Sequence, residues 1–279
     1  MRSAHASSHR ELSLFAYVSA WVGGLTAFIF AAVEDPIARF FLVFLLFLVY
    51  GSLLVLGSVF PKMNFYVRSL TRGPAEYGVV AFTFDDGPDP RVTPPLLTLL
   101  REHRIEAGFF VVGRDVETHP ELLRAIDGGG HAVGVHAYQR SAGWALRPLR
   151  EIQDELERTL GVVQSVLGRR PRLLRLPFGM TRPGLDRVLH ALGLHCIAWD
   201  TRALEGFHPT PERIAAHLTR EARNGSIILL PQRFEDASFH AEQVLETVRL
   251  TAEGLRGRGF RFVRLDILLD LHAYAEEEG

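Results

Sequence analysis

VVAFTFDDGPDP, residues 79–90, reads as a buried strand that ends in acid. An apolar run rich in Val and Phe stops at Asp85 and Asp86 and is followed at once by Gly87-Pro88 and Asp89-Pro90. On a regular strand two adjacent carboxylates point to opposite faces. Both reach one cavity only where the pleat breaks, a break that the Gly-Pro pair would supply. Two carboxylates placed so suit divided labour, one holding a cation and the other staying free as a base. The plainer alternative is a strand-to-loop turn with solvated acids.

Outward from this stretch, short apolar runs alternate with segments of helical period. Val79–Phe84 precedes a helix over Thr93–His103, Gly108–Gly113 precedes Val116–Asp127, and His131–His136 precedes Leu146–Leu167. Leu173–Leu176 then precedes Pro183–Leu192, His195–Trp199 precedes Pro211–Arg223, Ser226–Leu230 precedes Ala241–Arg256, and Phe260–Leu265 closes the series. Strand-plus-helix units in this number imply an α/β fold with a parallel sheet, open or closed. Chemistry in such folds gathers at the carboxyl ends of the strands, where Asp85-Asp86, His136, Arg175 to Gly179, Asp200 and Pro231 all fall.

Toward the N-terminus the pattern changes. Residues 12–33 carry no charge, and after Glu34-Asp35-Pro36 and Arg39 a second charge-free stretch runs over 40–60. Each is long enough to span a bilayer, so 1–61 reads as a membrane hairpin, 62–77 as a linker and 78–279 as the catalytic-type domain. A cleavable signal peptide or a buried core helix are the alternatives. Arg2 and Arg10 on one flank and Lys62, Arg68 and Arg72 on the other favour a multi-pass protein of a bacterial-type inner (plasma) membrane with both flanks cytoplasmic. Tyr66, Arg68 and Arg72 suit the headgroup region. A net charge of −1 gives no signal for nucleic acid, and the single cysteine, Cys196, excludes an internal disulfide and a cysteine-cluster zinc site.

Thr83-Phe84-Asp85-Asp86-Gly87-Pro88 resembles the first signature of the polysaccharide deacetylase family, also called the NodB-homology domain or carbohydrate esterase family 4. The resemblance runs from about Val79 to Leu269. It implies a distorted seven-stranded (β/α) barrel and metal-dependent hydrolysis of N-acyl groups on glycans. Its implied roles are Asp85 as catalytic base, Asp86 and His136 as ligands of a divalent metal such as zinc, and Arg175 as orienter of the base. In Arg175-Leu176-Pro177-Phe178-Gly179 the backbone N–H of Phe178 would hold the oxyanion, with Pro177 and Gly179 lining the substrate groove. Trp199-Asp200 is similar to the fourth signature, although its carboxylate is matched equally by Glu205; His208 reads as a loop residue.

Two positions depart from the family pattern. The second metal-ligand His is replaced in His136-Ala137-Tyr138-Gln139-Arg140 by Arg140, a donor-only cation that cannot ligate a metal and repels one. Arg140 is expected to pair with Asp86 in the metal's place, to meet a substrate phosphate, or to face solvent. The general-acid His is replaced by Pro231, with Gln232 following. His240, His131 and His119 are not counted as catalytic. The metal set is therefore incomplete, and two classes of function compete: a catalytically impaired homologue that binds an N-acylated glycan or lipid-linked sugar, and an active N-deacetylase with a non-standard metal set. A plain membrane scaffold leaves the retained Asp85-Asp86 and Arg175 without a purpose.

Overall fold

The computed structural model describes residues 14–74, 78–141, 143–203, 210–232 and 241–276. Two helices come first, α1 (Leu14–Ala32) and α2 (Pro36–Val59), followed by β1 (Ser69–Leu70), β2 (Val79–Gly87), α3 (Thr93–Glu102) and β3 (Gly108–Val111). Then come α4 (Gly113–Thr118), α5 (Pro120–Gly128), β4 (Ala132–Val135), α6 (Leu149–Leu167), β5 (Leu173–Leu174) and α7 (Leu185–Ala191). The chain ends through β6 (His195–Ile197), β7 (Thr201–Arg202), α8 (Pro211–Glu221), β8 (Ile227–Pro231), α9 (Ala241–Gly257), β9 (Arg261–Phe262) and α10 (Leu265–Leu269).

Every ladder is parallel, in the order β1-β6-β5-β4-β3-β2-β8-β7, with β9 beside the start of β2. The sheet curls until its margins meet at an isolated antiparallel bridge between Arg72 and Ser226. This curled α/β sheet is the distorted barrel the resemblance implies. All seven expected strands are present. β1 and β7, two residues each, are additions too short to leave a period in the sequence.

Alternation along β2 sorts two apolar layers. Val79 and Ala81 join Phe110, Leu173, Ile197 and Ile227 inside the curl, together with Leu265 and Leu268 of α10. Val80, Phe82 and Phe84 pack instead with Leu96 and Leu100 of α3 and with Phe109 and Val133, between sheet and helices. Thr83 and Asp85 therefore continue the interior row beyond Ala81, as polar side chains at the strand's carboxyl end.

Three expectations about element boundaries are corrected. The helix expected over 116–127 is broken at His119, with backbone φ −133° and ψ 61°. Pro120, which lacks an N–H and clashes with a preceding turn, opens α5 instead. The second apolar helix starts at Pro36 rather than residue 40, because the Asp35 side chain caps it by accepting the Ile37 N–H at 3.0 Å. Arg39 then lies inside the helix and turns back to donate to Val33 O at 2.9 and 2.6 Å, capping the end of α1. Residues 12 and 13 lie outside the described residues.

The third correction concerns 62–77, which is not a free tether. Phe65, Tyr66 and Val67 are buried in the helix-side core, and Ser69-Leu70 pair with β6. Tyr66 does not reach a headgroup region, since its hydroxyl donates to Leu54 O of α2. A Cβ on Gly57 would lie 2.4 Å from the Phe65 ring, so glycine lets α2 seat there. Thr181 closes the seat by donating its hydroxyl to Gly57 O at 2.8 Å and its N–H to Ser58 O at 2.9 Å. Burial of three hydrophobic side chains outweighs the freedom of a linker.

Over most of their length α1 and α2 are apolar and exposed. Trp21, Phe28, Ile37 and Phe40 stand open to the surroundings, and only Ile29 and Gly57 are buried. At 19 and 24 residues both are long and apolar enough to cross a bilayer.

Candidate functional site

The site begins with a break in β2. Register against β3 pairs Asp85 with Phe110 and Gly87 with Val111, so Asp86 is an inserted residue, held at φ 66°. The bulge itself, rather than Gly87-Pro88 alone, takes Asp86 out of alternation and lets both carboxylates serve one rim. A short polar side chain is among the few that tolerate this left-handed conformation.

Asp85 is buried and paired with Arg175, whose side chain has no solvent exposure. Arg175 Nη1 donates to Asp85 Oδ1 and to Thr83 Oγ1, each at 2.8 Å, while Nε and Nη2 donate to Ile197 O and Ala198 O at 3.3 and 3.1 Å. Its guanidinium lies 4.1 Å from the centre of the Phe110 ring and 5.7 Å from that of Trp199. Burial pushes the Asp85 carboxyl above its usual range, against the opposing pull of Arg175 and His136. Burial likewise works against the Arg175 charge, but arginine does not release its proton in proteins, so Asp85 keeps a permanent cation beside it.

Asp86 faces Arg140. Arg140 Nε lies 2.9 Å from Asp86 Oδ1, and its Nη2 donates to Asp86 O at 2.7 Å. Of the three expectations for Arg140, ion pairing with Asp86 is the one observed. His136 completes the cluster: its Nδ1 lies 2.7 Å from Arg175 O, an acceptor, so Nδ1 donates there and Nε2 faces Asp86 Oδ1 at 3.8 Å. Two carboxylates and two guanidiniums balance the rim.

That geometry tests the implied zinc. His136 Nε2 and Asp86 Oδ1 are spaced as two ligands of one ion would be, with about 2.0–2.2 Å to each. The third donor is missing, and a guanidinium holds the same carboxylate oxygen. Among the described residues no three His, Cys, Asp or Glu side chains converge as a metal site. The described residues do not fit a resident zinc ion.

The remaining expected residues divide. Pro177, Phe178 and Gly179 form one turn of 3₁₀ helix after β5, with Phe178 at φ 56° and its ring exposed. Gly179, at φ 67°, is required by close approach, because a Cβ there would lie 2.9 Å from the Trp199 ring and 3.3 Å from Pro61. Trp199 thus packs between Gly179 and Arg175 at the rim. Asp200 turns away: its Oδ2 accepts from Arg72 Nε and Nη2 at 3.0 and 2.9 Å and from Ser226 Oγ at 2.8 Å, while its buried Oδ1 has no partner among the described residues. Its hydrogen bonds brace the sheet margins and do not reach Arg175.

Register pairs Asp85 with Pro231, so a residue without a titratable group sits beside the carboxylate. Gln232 does not face a substrate. It is buried, its Oε1 accepts from Thr93 Oγ1 at 2.6 Å, and its backbone N–H donates to Asp85 O at 3.0 Å. Glu205, His208 and His240 lie outside the described residues. Two participants escaped the sequence reading. Thr83 was signalled only by standing two residues before Asp85 on the same face, and Arg72 by nothing local.

His131 is a core residue, as expected. Its Nδ1 accepts the Ala107 N–H at 3.1 Å, and burial, reinforced by nearby Arg264, lowers its pKa to about 4. Between about 6.5 and 4 the unfolded chain takes up a proton that the native ring refuses, so this stability is complete above that window and lost as pH falls through it. Roughly 3 kcal/mol is expected to go, measured by denaturant unfolding at stepped pH, and His131→Gln should flatten that part of the profile. An unchanged profile in the variant would place the acid sensitivity elsewhere.

The family model for polysaccharide deacetylase matches residues 72–197. A chitooligosaccharide deacetylase of Azorhizobium caulinodans is 30% identical over 189 residues, 65% of this chain and 90% of that protein. A peptidoglycan-N-acetylglucosamine deacetylase of Bacillus cereus is 30% identical over 203 residues, covering 70% and 90% respectively. The crystal structure of a peptidoglycan N-acetylglucosamine deacetylase superposes with a TM-score of 0.69 at 24% identity, over 74% of this chain and 95% of that one; at that identity the likeness is one of fold.

Proposed function

The chain belongs to the polysaccharide deacetylase family, and from that premise we propose that it is a membrane-anchored member that binds an N-acylated cell-envelope glycan or lipid-linked sugar without hydrolysing it. The observation that carries this reading is the Arg140–Asp86 ion pair. It neutralises the carboxylate that the family gives to the metal, and it does so with a group that cannot ligate. Pro231 beside Asp85 removes the proton donor for a leaving amine, a function commonly worth about 10²–10⁴ in rate. What remains is a rim suited to recognition, with the exposed Phe178 ring, Trp199 and the half-exposed Arg140. The relatives' chitooligosaccharide and peptidoglycan substrates support the choice of glycan. The hairpin α1–α2 is read as two membrane spans, and the basic flanks favour a cytoplasmic domain.

One observation favours a second reading, an active N-deacetylase with a non-standard metal set: His136 Nε2 is oriented toward Asp86 by the hydrogen bond from Nδ1 to Arg175 O. The full chain in detergent separates the two. Incubated with an N-acetylglucosamine oligomer, with and without zinc, it should bind the oligomer saturably and release acetate no faster than the Asp85→Asn variant. Zinc-dependent release that Asp85→Asn abolishes would establish the second reading instead.

A further inference from the structure

Apart from the Asp85–Asp86 cluster, a cleft of about 370 Å³ opens between the foot of the hairpin and the end of α8. Four cationic side chains line it, Lys62, Arg72, Arg202 and Arg223, against the carboxylates Asp200 and Glu221. We propose that this cleft is a phosphate-binding site at the membrane surface, taking a phosphate group carried on a lipid headgroup or on a soluble phosphate ester.

Each carboxylate already holds a cation through one oxygen. Asp200 is held by Arg72 and Ser226, and Glu221 Oε1 accepts from Arg220 Nε at 2.9 Å, a residue outside the lining. Among the described residues Lys62, Arg202 and Arg223 enter no ion pair, and the lining carries four cations against two carboxylates, Arg223 acting on Glu221 only at longer range. Lys62 Nζ donates one hydrogen bond, to Asp200 O at 2.8 Å, which leaves two of its three donors for a ligand. His217 adds another: its Nδ1 lies 3.3 Å from Arg220 Nη2, a donor, so the ring proton is on Nε2. A cleft in which guanidinium forks, an ammonium and an imidazole N–H outnumber two carboxylates that already hold cations matches the oxygens of a phosphate.

Placement supplies the membrane. Lys62 follows the end of α2 at Val59 by three residues, and Pro61 and Lys62 lie directly against the domain. A cleft anchored there stands where an apolar helix of 24 residues leaves the bilayer, the level at which phosphates are most concentrated. The inference rests on the proposed membrane placement of the hairpin and is independent of what happens to a glycan at Asp85.

The full chain in a neutral maltoside detergent is titrated calorimetrically with dioctanoyl phosphatidic acid, inorganic pyrophosphate and dioctanoyl phosphatidylcholine. Phosphatidic acid is expected to bind saturably at one site per chain, more weakly as salt is raised, and at least about tenfold more weakly in the Arg202→Gln/Arg223→Gln variant. Phosphatidylcholine should not compete. Saturable binding of pyrophosphate alone keeps the phosphate site and assigns it a soluble ligand. Equal affinity in the variant, or no saturable binding of either phosphate, overturns the proposal. Lys62→Gln, at an exposed position, provides the same reading should the double variant unfold. Flotation of the parent chain with vesicles at high salt tests the hairpin separately: a chain that binds pyrophosphate but does not float loses its membrane placement and retains the site.

Discussion

The Arg140→His variant is expected to bind one zinc ion per chain, at least about 10³-fold more tightly than the parent. The substitution acts on two terms at once. It removes a guanidinium 2.9 Å from the carboxylate oxygen that would face the ion, and it offers a third donor four residues after His136. At about 4 Å and an effective dielectric of about 20, one charge pair is worth roughly 4 kcal/mol, so a divalent ion beside Arg140 meets about twice that before screening. His136 needs no rearrangement, because its hydrogen bond to Arg175 O already turns Nε2 toward Asp86. Competition with a chromogenic chelator measures the affinities. Tight zinc binding by the parent, unchanged in the variant, would refute the account of Arg140 as occupant of the metal's place.

Arg175→Ala should cost about 3–5 kcal/mol of domain stability, the range for breaking a buried ion pair from one side. Four acceptors depend on this guanidinium, namely the Asp85 carboxylate, the Thr83 hydroxyl, and the carbonyls of Ile197 and Ala198. Loss of the side chain leaves the Asp85 carboxyl buried without the cation that opposes its desolvation, and Thr83 keeps only its donation to Ile228 O at 2.8 Å. It also leaves a void against Phe110, which adds a cavity term. Urea unfolding of the full chain in detergent, followed by near-ultraviolet circular dichroism, reads the loss. A cost below about 1 kcal/mol would mean that water replaces the pair without penalty, contrary to its burial.

Much of the fold was legible because its signals are local. The apolar run Val79–Phe84 and the helical period of the intervening segments are set by which side chains must leave water, and the seven strands follow from them. The first signature likewise marks Asp85 and Asp86 without any structure. Boundaries were less legible where a cap or a proline overrides hydrophobic pattern. Arg39 looked like the end of a connection and is instead a helical residue whose side chain closes the preceding helix. His119-Pro120 looked like helix interior and is a joint.

The partners of the charged residues were not legible, since a side chain's nearest counter-charge depends on how distant segments meet. Asp200 was matched by motif to the site around Arg175 and is taken by Arg72, 128 residues away. Gln232 stood next to the lost general acid and is turned inward onto Thr93. The segment 62–77 has the polarity of a linker, and its three buried side chains count only once β6 and the end of α2 lie beside it.

By itself, then, the sequence determined a parallel α/β sheet, whose curl the family resemblance implied, the apolar hairpin and the identities of Arg140 and Pro231, because hydrophobic period and residue chemistry are properties of the chain. The tertiary structure alone decided that Arg140 closes on Asp86 across 54 residues, that a bulge aims both acids at one rim, and that the foot of α2 seats beside a cationic cleft. Electrostatic pairing and close packing are short-ranged, and only folding brings such groups within reach of one another.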